Sequence, residues 1–180
     1  MVQLHEEYLN SPIEGTIIDI ETIGNFNDYP DSRRYMNIVP VIFGYIDSES
    51  LHIHCSKKVD SLVKLKNIIT KELEGLERPF YAFNSDFERG AFLHSLNREV
   101  HFERELNKEK FEPKWRAVAE LKIPQYDDPF KDNGKLCSDA WKTGHINEAI
   151  AHNRSCLLKE RDILLKRGYR APDPLKFIRI

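Results

Sequence analysis

The stretch Gly15-Thr-Ile-Ile-Asp-Ile-Glu-Thr22 constrains this chain more than any other. Ile13 to Ile20 reads as a strand buried on both sides near its centre, which calls for a sheet covered by helices. At its end Asp19 and Glu21 stand two residues apart, and residues i and i+2 of a strand share a face. Two like charges held so close on a rigid element need a cation or a shared proton. A divalent metal is the economical explanation, against a strand end whose acids simply stand in water.

The rest of the chain supplies the layers. Asn37 to Asp47 reads as a second strand, with Pro40 marking an edge position or a bulge. Leu51 to Cys55 makes a short third, joined to it by a hairpin turn through Asp47-Ser-Glu-Ser. Asp60 is placed to cap a helix running to about Glu74, because Leu62, Val63, Leu65, Ile68, Ile69 and Leu73 recur at helical spacing. Pro79 to Phe83 is a fourth, aromatic strand, and Ile146 to Arg167 is a long helix closed by Gly168. Strands, helix, strand and helix in this order predict an α/β fold with a mixed central sheet flanked by helices, its site at the carboxyl ends of the strands. With 180 residues and no repeat, low-complexity tract or linker, the expectation is one domain over 1–180.

A second constellation falls where the fourth strand hands over to a helix. There Asn84-Ser-Asp-Phe-Glu88 places Asp86 at the strand mouth, as a metal ligand or as an N-cap, with Asn84 holding the loop or a substrate. On the late helix His152 and Cys156 lie four residues apart and share a face, with Asn153 beside them.

Asp19, Glu21 and Asp86, followed by His152-Asn153 on a late helix, resemble the motifs of the DEDD family of 3′-5′ exonucleases in the ribonuclease H-like superfamily. The resemblance implies a ribonuclease H-like fold and two-metal hydrolysis of phosphodiester bonds at single-stranded ends of DNA or RNA. It implies Asp19, Glu21 and Asp86 as ligands of Mg²⁺ or Mn²⁺, His152 as the group that takes or steers a proton, and Thr22, Asn84 and Asn153 as substrate contacts. The sequence departs from the family at the fourth acid, where Cys156 stands. A thiol is a poor ligand for a hard cation, so a relative that binds nucleic acid or protein without cutting is the alternative. Glu148 and Glu160 lie on the same side of the helix, where each could compensate or simply face solvent.

Composition excludes other classes. No apolar run approaches membrane-spanning length, and the first residues lack the pattern of a secretory signal. Three widely spaced cysteines are too few and odd for a disulfide framework, so a cytoplasmic location with reduced thiols is expected. There is no glycine-rich phosphate loop and no Gly-x-Ser-x-Gly elbow. Net charge is −2, yet from Arg154 onward eight Lys or Arg face three acids, either a solvated helix face or a partner for phosphates. His52 and His54 share a strand face that suits the wet side of a hairpin. The 124–134 segment, rich in Pro, Asp and Gly, is a loop whose Tyr126 and Phe130 either line a groove or close the domain over its core.

Overall fold

Alternation along the central strand decides which side of the sheet each residue serves, and a computed structural model describing residues 1–180 carries that alternation through the molecule. The strands are β1 (Val2–Tyr8), β2 (Thr16–Ile23), β3 (Val39–Ile46), β4 (Ser50–Ser56), β5 (Phe80–Ala82) and β6 (Arg104–Glu105). The helices are α1 (Leu62–Gly75), α2 (Ser85–Leu96), α3 (Lys114–Glu120), α4 (Gly134–Lys142) and α5 (Ile146–Arg167). They form an α/β fold around one mixed six-stranded sheet of order β1-β4-β3-β2-β5-β6. β1, β4, β3 and β2 pair antiparallel, and β2, β5 and β6 pair parallel.

Ile17 points into a core shared with α3, α4 and α5, whereas Ile18 and Ile20 point into a second core under α1 and α2. Burying each such side chain contributes about 1.5–3 kcal/mol, so the two cores fix the register of β2. With Ile17 facing α5, Asp19 and Glu21 must face it too. One glycine brings that helix close. A Cβ at Gly44 on β3 would lie 2.0 Å from Asn153 Oδ1 and 2.9 Å from a Leu157 methyl, so only glycine lets α5 lie against the sheet there.

Most predicted elements are present, with shifted ends. The first strand runs to Ile23 and so includes Glu21 and Thr22. Pro40 sits in a central strand, not an edge, and is accommodated by a bulge: Glu21 pairs with Ile42 and Thr22 with Pro40. Asp60 does not cap α1. It lies in a 3-10 turn, Val59–Ser61, and Ser61 occupies the cap position. Asp86 is likewise inside α2, with Asn84 at its N-cap. α5 spans the expected residues and ends at Gly168 in a positive-φ conformation (φ +77°).

β1 was not expected. Its Val-Gln-Leu-His-Glu-Glu-Tyr sequence is too charged to suggest a strand, yet it pairs along β4 at the sheet edge, where charged side chains reach water and discourage further pairing. Of the strand histidines, His54 is buried against Phe43 and is not on a wet face, while His52 stacks on Tyr45 at 4.9 Å. The 124–134 loop closes over the core: Tyr126 and Phe130 pack on the α5-side cluster. No helix is long and apolar enough to cross a membrane.

Candidate functional site

The strand end, the first turn of α2, the start of α3 and the middle of α5 meet at an open cleft of about 640 Å³. Asp19, Glu21, Thr22, Asn84, Glu88, Lys114, His152 and Cys156 all line it. Asp19 and Glu21 reach it from β2, as strand alternation requires. Asn153, from α5, donates to Asp19 Oδ2 at 2.7 Å. Asn153 is therefore a positioning residue, fully buried, and not the substrate contact expected of it.

The third acid is Glu88, not Asp86. Asp86 turns away from the cleft and is held in ion pairs by Arg89 and by Lys110 at 3.6 Å. Two residues further on, half a helical turn around α2, Glu88 points inward, and its Oε2 is buried without a hydrogen-bond partner. A fourth buried carboxylate, Glu160, lies one turn beyond Cys156 on α5; it does not line the cleft but meets Lys114 there, and its Oε2 has no partner. Glu160 thus does not face solvent but lies buried against Lys114. Glu148, by contrast, is exposed and paired with His145.

A lysine stands among these acids. Lys114 Nζ, at the first residue of α3, lies 2.6 Å from Glu160 Oε1 and 3.3 Å from Asp19 Oδ1. Burial opposes its charge, but Asp19, Cys156 and Glu160 outweigh burial and hold the ammonium protonated. One ammonium does not satisfy the whole group. Burial first, and then the charge of Asp19, push Glu21 up to about 7 and Glu160 up to about 8, and burial with Asp19 and Glu160 raises Glu88 well above the usual carboxylate range. The unpartnered oxygens and raised carboxyls show a group of acids short of positive partners.

The opposite wall is built on Asp128. Its Oδ1 accepts from His152 Nδ1 at 2.7 Å, and its Oδ2 from Lys159 Nζ at 2.7 Å; Lys159 also reaches Asp132 at 2.8 Å and Gln125 at 2.9 Å. This clamp fixes the 124–134 loop on α5. It also leaves His152 Nε2 facing Glu21 Oε1 at 3.6 Å and Cys156 Sγ at 3.7 Å. Burial works against a charged His152, yet Cys156, Glu21 and Asp128 together raise it to about 11. Two groups of three donor atoms lie within 4.8 Å of one another and could hold a metal: Glu21, His152 and Cys156, and Asp128, Asp132 and Cys156. In the second, both carboxylates are already engaged by Lys159.

The rim differs in character from the floor. Phe26 and Phe111 are exposed there, Phe26 packs edge-on against Tyr35 and Phe87, and Arg34, Lys135 and Lys142 add positive charge. The basic excess of the last 27 residues, by contrast, is spent internally: Arg154, Lys159, Arg161, Arg167, Arg170 and Arg179 are all in ion pairs. Lys114 escaped the sequence reading because 95 residues separate it from Asp19, and a lysine in a charged segment looks solvated.

Comparison with protein-family models, with curated proteins and with solved structures found no match to this chain.

Proposed function

We propose that this protein is a ribonuclease H-like, metal-dependent 3′-5′ exonuclease acting on single-stranded ends of DNA or RNA. The observation that carries the reading is that three buried acids, Asp19, Glu21 and Glu88, line one cleft, with a fourth, Glu160, buried against the Lys114 ammonium that also pairs with Asp19. Folding alone does not ask for such a group, since unpaired acids repel and destabilise. The three that line the cleft would hold Mg²⁺ or Mn²⁺, which when bound supplies activation of water and neutralisation of the phosphoryl charge.

The protein's own residues do the rest. Asn153 fixes the rotamer of Asp19, and Asp128 fixes the ring of His152 so that only Nε2 is offered to the cleft. That is the presentation required of a group that takes or steers a proton, once the proton on Nε2 has left. Phe26 and Phe111 offer faces on which unpaired bases stack, and Arg34, Lys135 and Lys142 attract the backbone. Thr22 and Asn84 also line the cleft.

The test is degradation of 3′-labelled single-stranded DNA and RNA with Mg²⁺ or Mn²⁺. Wild type should cut, while Asp19→Ala and Glu88→Gln should not, and Asp86→Asn should retain activity. One observation favours a second reading, a relative that binds nucleic acid without cutting it. Lys114 lies on Asp19 and Glu160, where a positive ligand would bind. A wild type that is inert with either metal but binds a single-stranded oligonucleotide through Phe26 and Phe111 would establish that reading instead.

A further inference from the structure

We propose that Glu21, His152 and Cys156 form a site for a zinc-class ion, Zn²⁺ or Co²⁺, in which the cysteine is a ligand and not a lost acid. The inference rests on the reading of the cleft as metal-binding but concerns a donor set that shares only Glu21 with the hard carboxylates and adds a nitrogen and a sulfur.

The three donor atoms, one oxygen, one nitrogen and one sulfur, lie within 4.8 Å of one another, all three residues are buried, and all line the cleft. A three-ligand site opening onto a cleft leaves a coordination position for water or substrate. Mixed imidazole and thiolate donors select zinc-class metals over magnesium. His152 and Cys156 come from one helix face, four residues apart, so their spacing is rigid, and Glu21 is fixed on β2 by the register of the sheet.

The second observation is the support behind the histidine. Asp128 Oδ1 accepts from Nδ1 at 2.7 Å, which fixes the tautomer that leaves Nε2 as the ligand, and Lys159 in turn holds Asp128. A carboxylate behind a metal-binding imidazole orients the ring and raises its basicity. The Asp128, Asp132 and Cys156 group lacks any such freedom, because Lys159 already occupies its carboxylates. Binding would release the Cys156 thiol proton and the His152 Nε2 proton to solvent, leaving thiolate and neutral imidazole on the ion.

The experiment titrates chelator-stripped full-length protein with Co²⁺ and reads the near-ultraviolet thiolate-to-cobalt charge-transfer band. One equivalent should develop the band, Zn²⁺ should abolish it, and a large excess of Mg²⁺ should not. Cys156→Ser should lose it, whereas Cys55→Ser and Cys137→Ser, which alter the other two buried thiols, should keep it. Asp128→Asn should keep the band but require about 10–100-fold more Co²⁺. Absence of the band in folded wild type, or its survival in Cys156→Ser, overturns the proposal. Should Cys156→Ser fail to fold, wild type blocked by Zn²⁺ gives the same answer through protection of Cys156 from alkylation after partial unfolding in urea; no protection overturns it. The two readings part cleanly: a cobalt–thiolate band without nuclease activity removes the exonuclease and keeps this site, and Mg²⁺-dependent cutting without the band does the reverse.

Discussion

Lys114 Nζ lies 2.6 Å from Glu160 Oε1, so a residue of a short helix supplies the counter-charge for an acid fully buried in the longest one. Removing the ammonium leaves Asp19 and Glu160 uncompensated. Lys114→Met should therefore cost about 3–5 kcal/mol in metal-free buffer, the range for breaking a buried pair. Added Mn²⁺ should restore more stability to this variant than to wild type, because the ion would then meet no competing charge. Thermal unfolding with chelator and with Mn²⁺ checks both; equal metal stabilisation of the two proteins would remove Lys114 from the cation balance.

Stability of the metal-free protein should fall as pH rises from about 5 to 8. Glu21 and Glu160 titrate from 4.5 in the unfolded chain to about 7 and about 8 in the fold, chiefly through burial. In that interval the folded state binds more protons than the unfolded one, so each rise in pH favours unfolding. His152 acts in the same sense: its contribution is complete below 6.5 and is lost as pH climbs through about 11. Urea unfolding at pH 5, 6, 7 and 8 in chelator measures the slope, and saturating divalent metal should flatten it. A slope of opposite sign would show that these carboxyls are ionised and already satisfied.

Neighbouring acids on α2 should behave oppositely. Glu88→Gln removes an acid that burial disfavours in its charged form and should raise metal-free stability, most at high pH where Glu88 must ionise, while abolishing cutting. Asp86→Asn strands Arg89 and should lower stability by about 3 kcal/mol with cutting retained. Denaturation and nuclease assays on the pair measure both quantities, and a reversed pattern would reassign the third acid to Asp86.

Lys159 is fully buried and paired with Asp128 and Asp132. Lys159→Met should cost about 3–5 kcal/mol by leaving Asp132 without its cation and Asp128 with His152 alone. The 126–132 segment, which carries positive φ at Tyr126, Asp127, Lys131 and Asp132, should be the first to lose hydrogen-exchange protection. Unchanged protection there would mean that backbone packing, not the clamp, holds the loop.

Residues whose roles depend on local periodicity were legible in the sequence. Asp19 and Glu21 share a face because a strand alternates, and α5 was bounded correctly because its pattern and Gly168 are local signals. The choice between Asp86 and Glu88 was not local. Both sit in the first turn of α2, and which one faces the cleft depends on the rotation of that helix, set where Gly90 meets the Tyr35 ring and where Arg89 draws Asp86 aside. Lys114 and the Asp128 clamp join segments remote in the chain, and no pattern in either segment announces its partner. β1 was hidden for a different reason: an edge strand has one exposed side, and its charges erase the alternation that would reveal it.

Gly44 carries no charge and does not line the cleft, yet the hydrogen-bonding amide that orients Asp19 rests in the space its missing methyl leaves. Any relative of this chain is under two separate demands, one for acids at the cleft and one for an empty position on the neighbouring strand. The second demand is silent in any inventory of reactive groups. A homologue that keeps all four carboxylates but places alanine on that strand would have to lift its long helix from the sheet, and Asp19 would lose its orientation before any ligand was replaced.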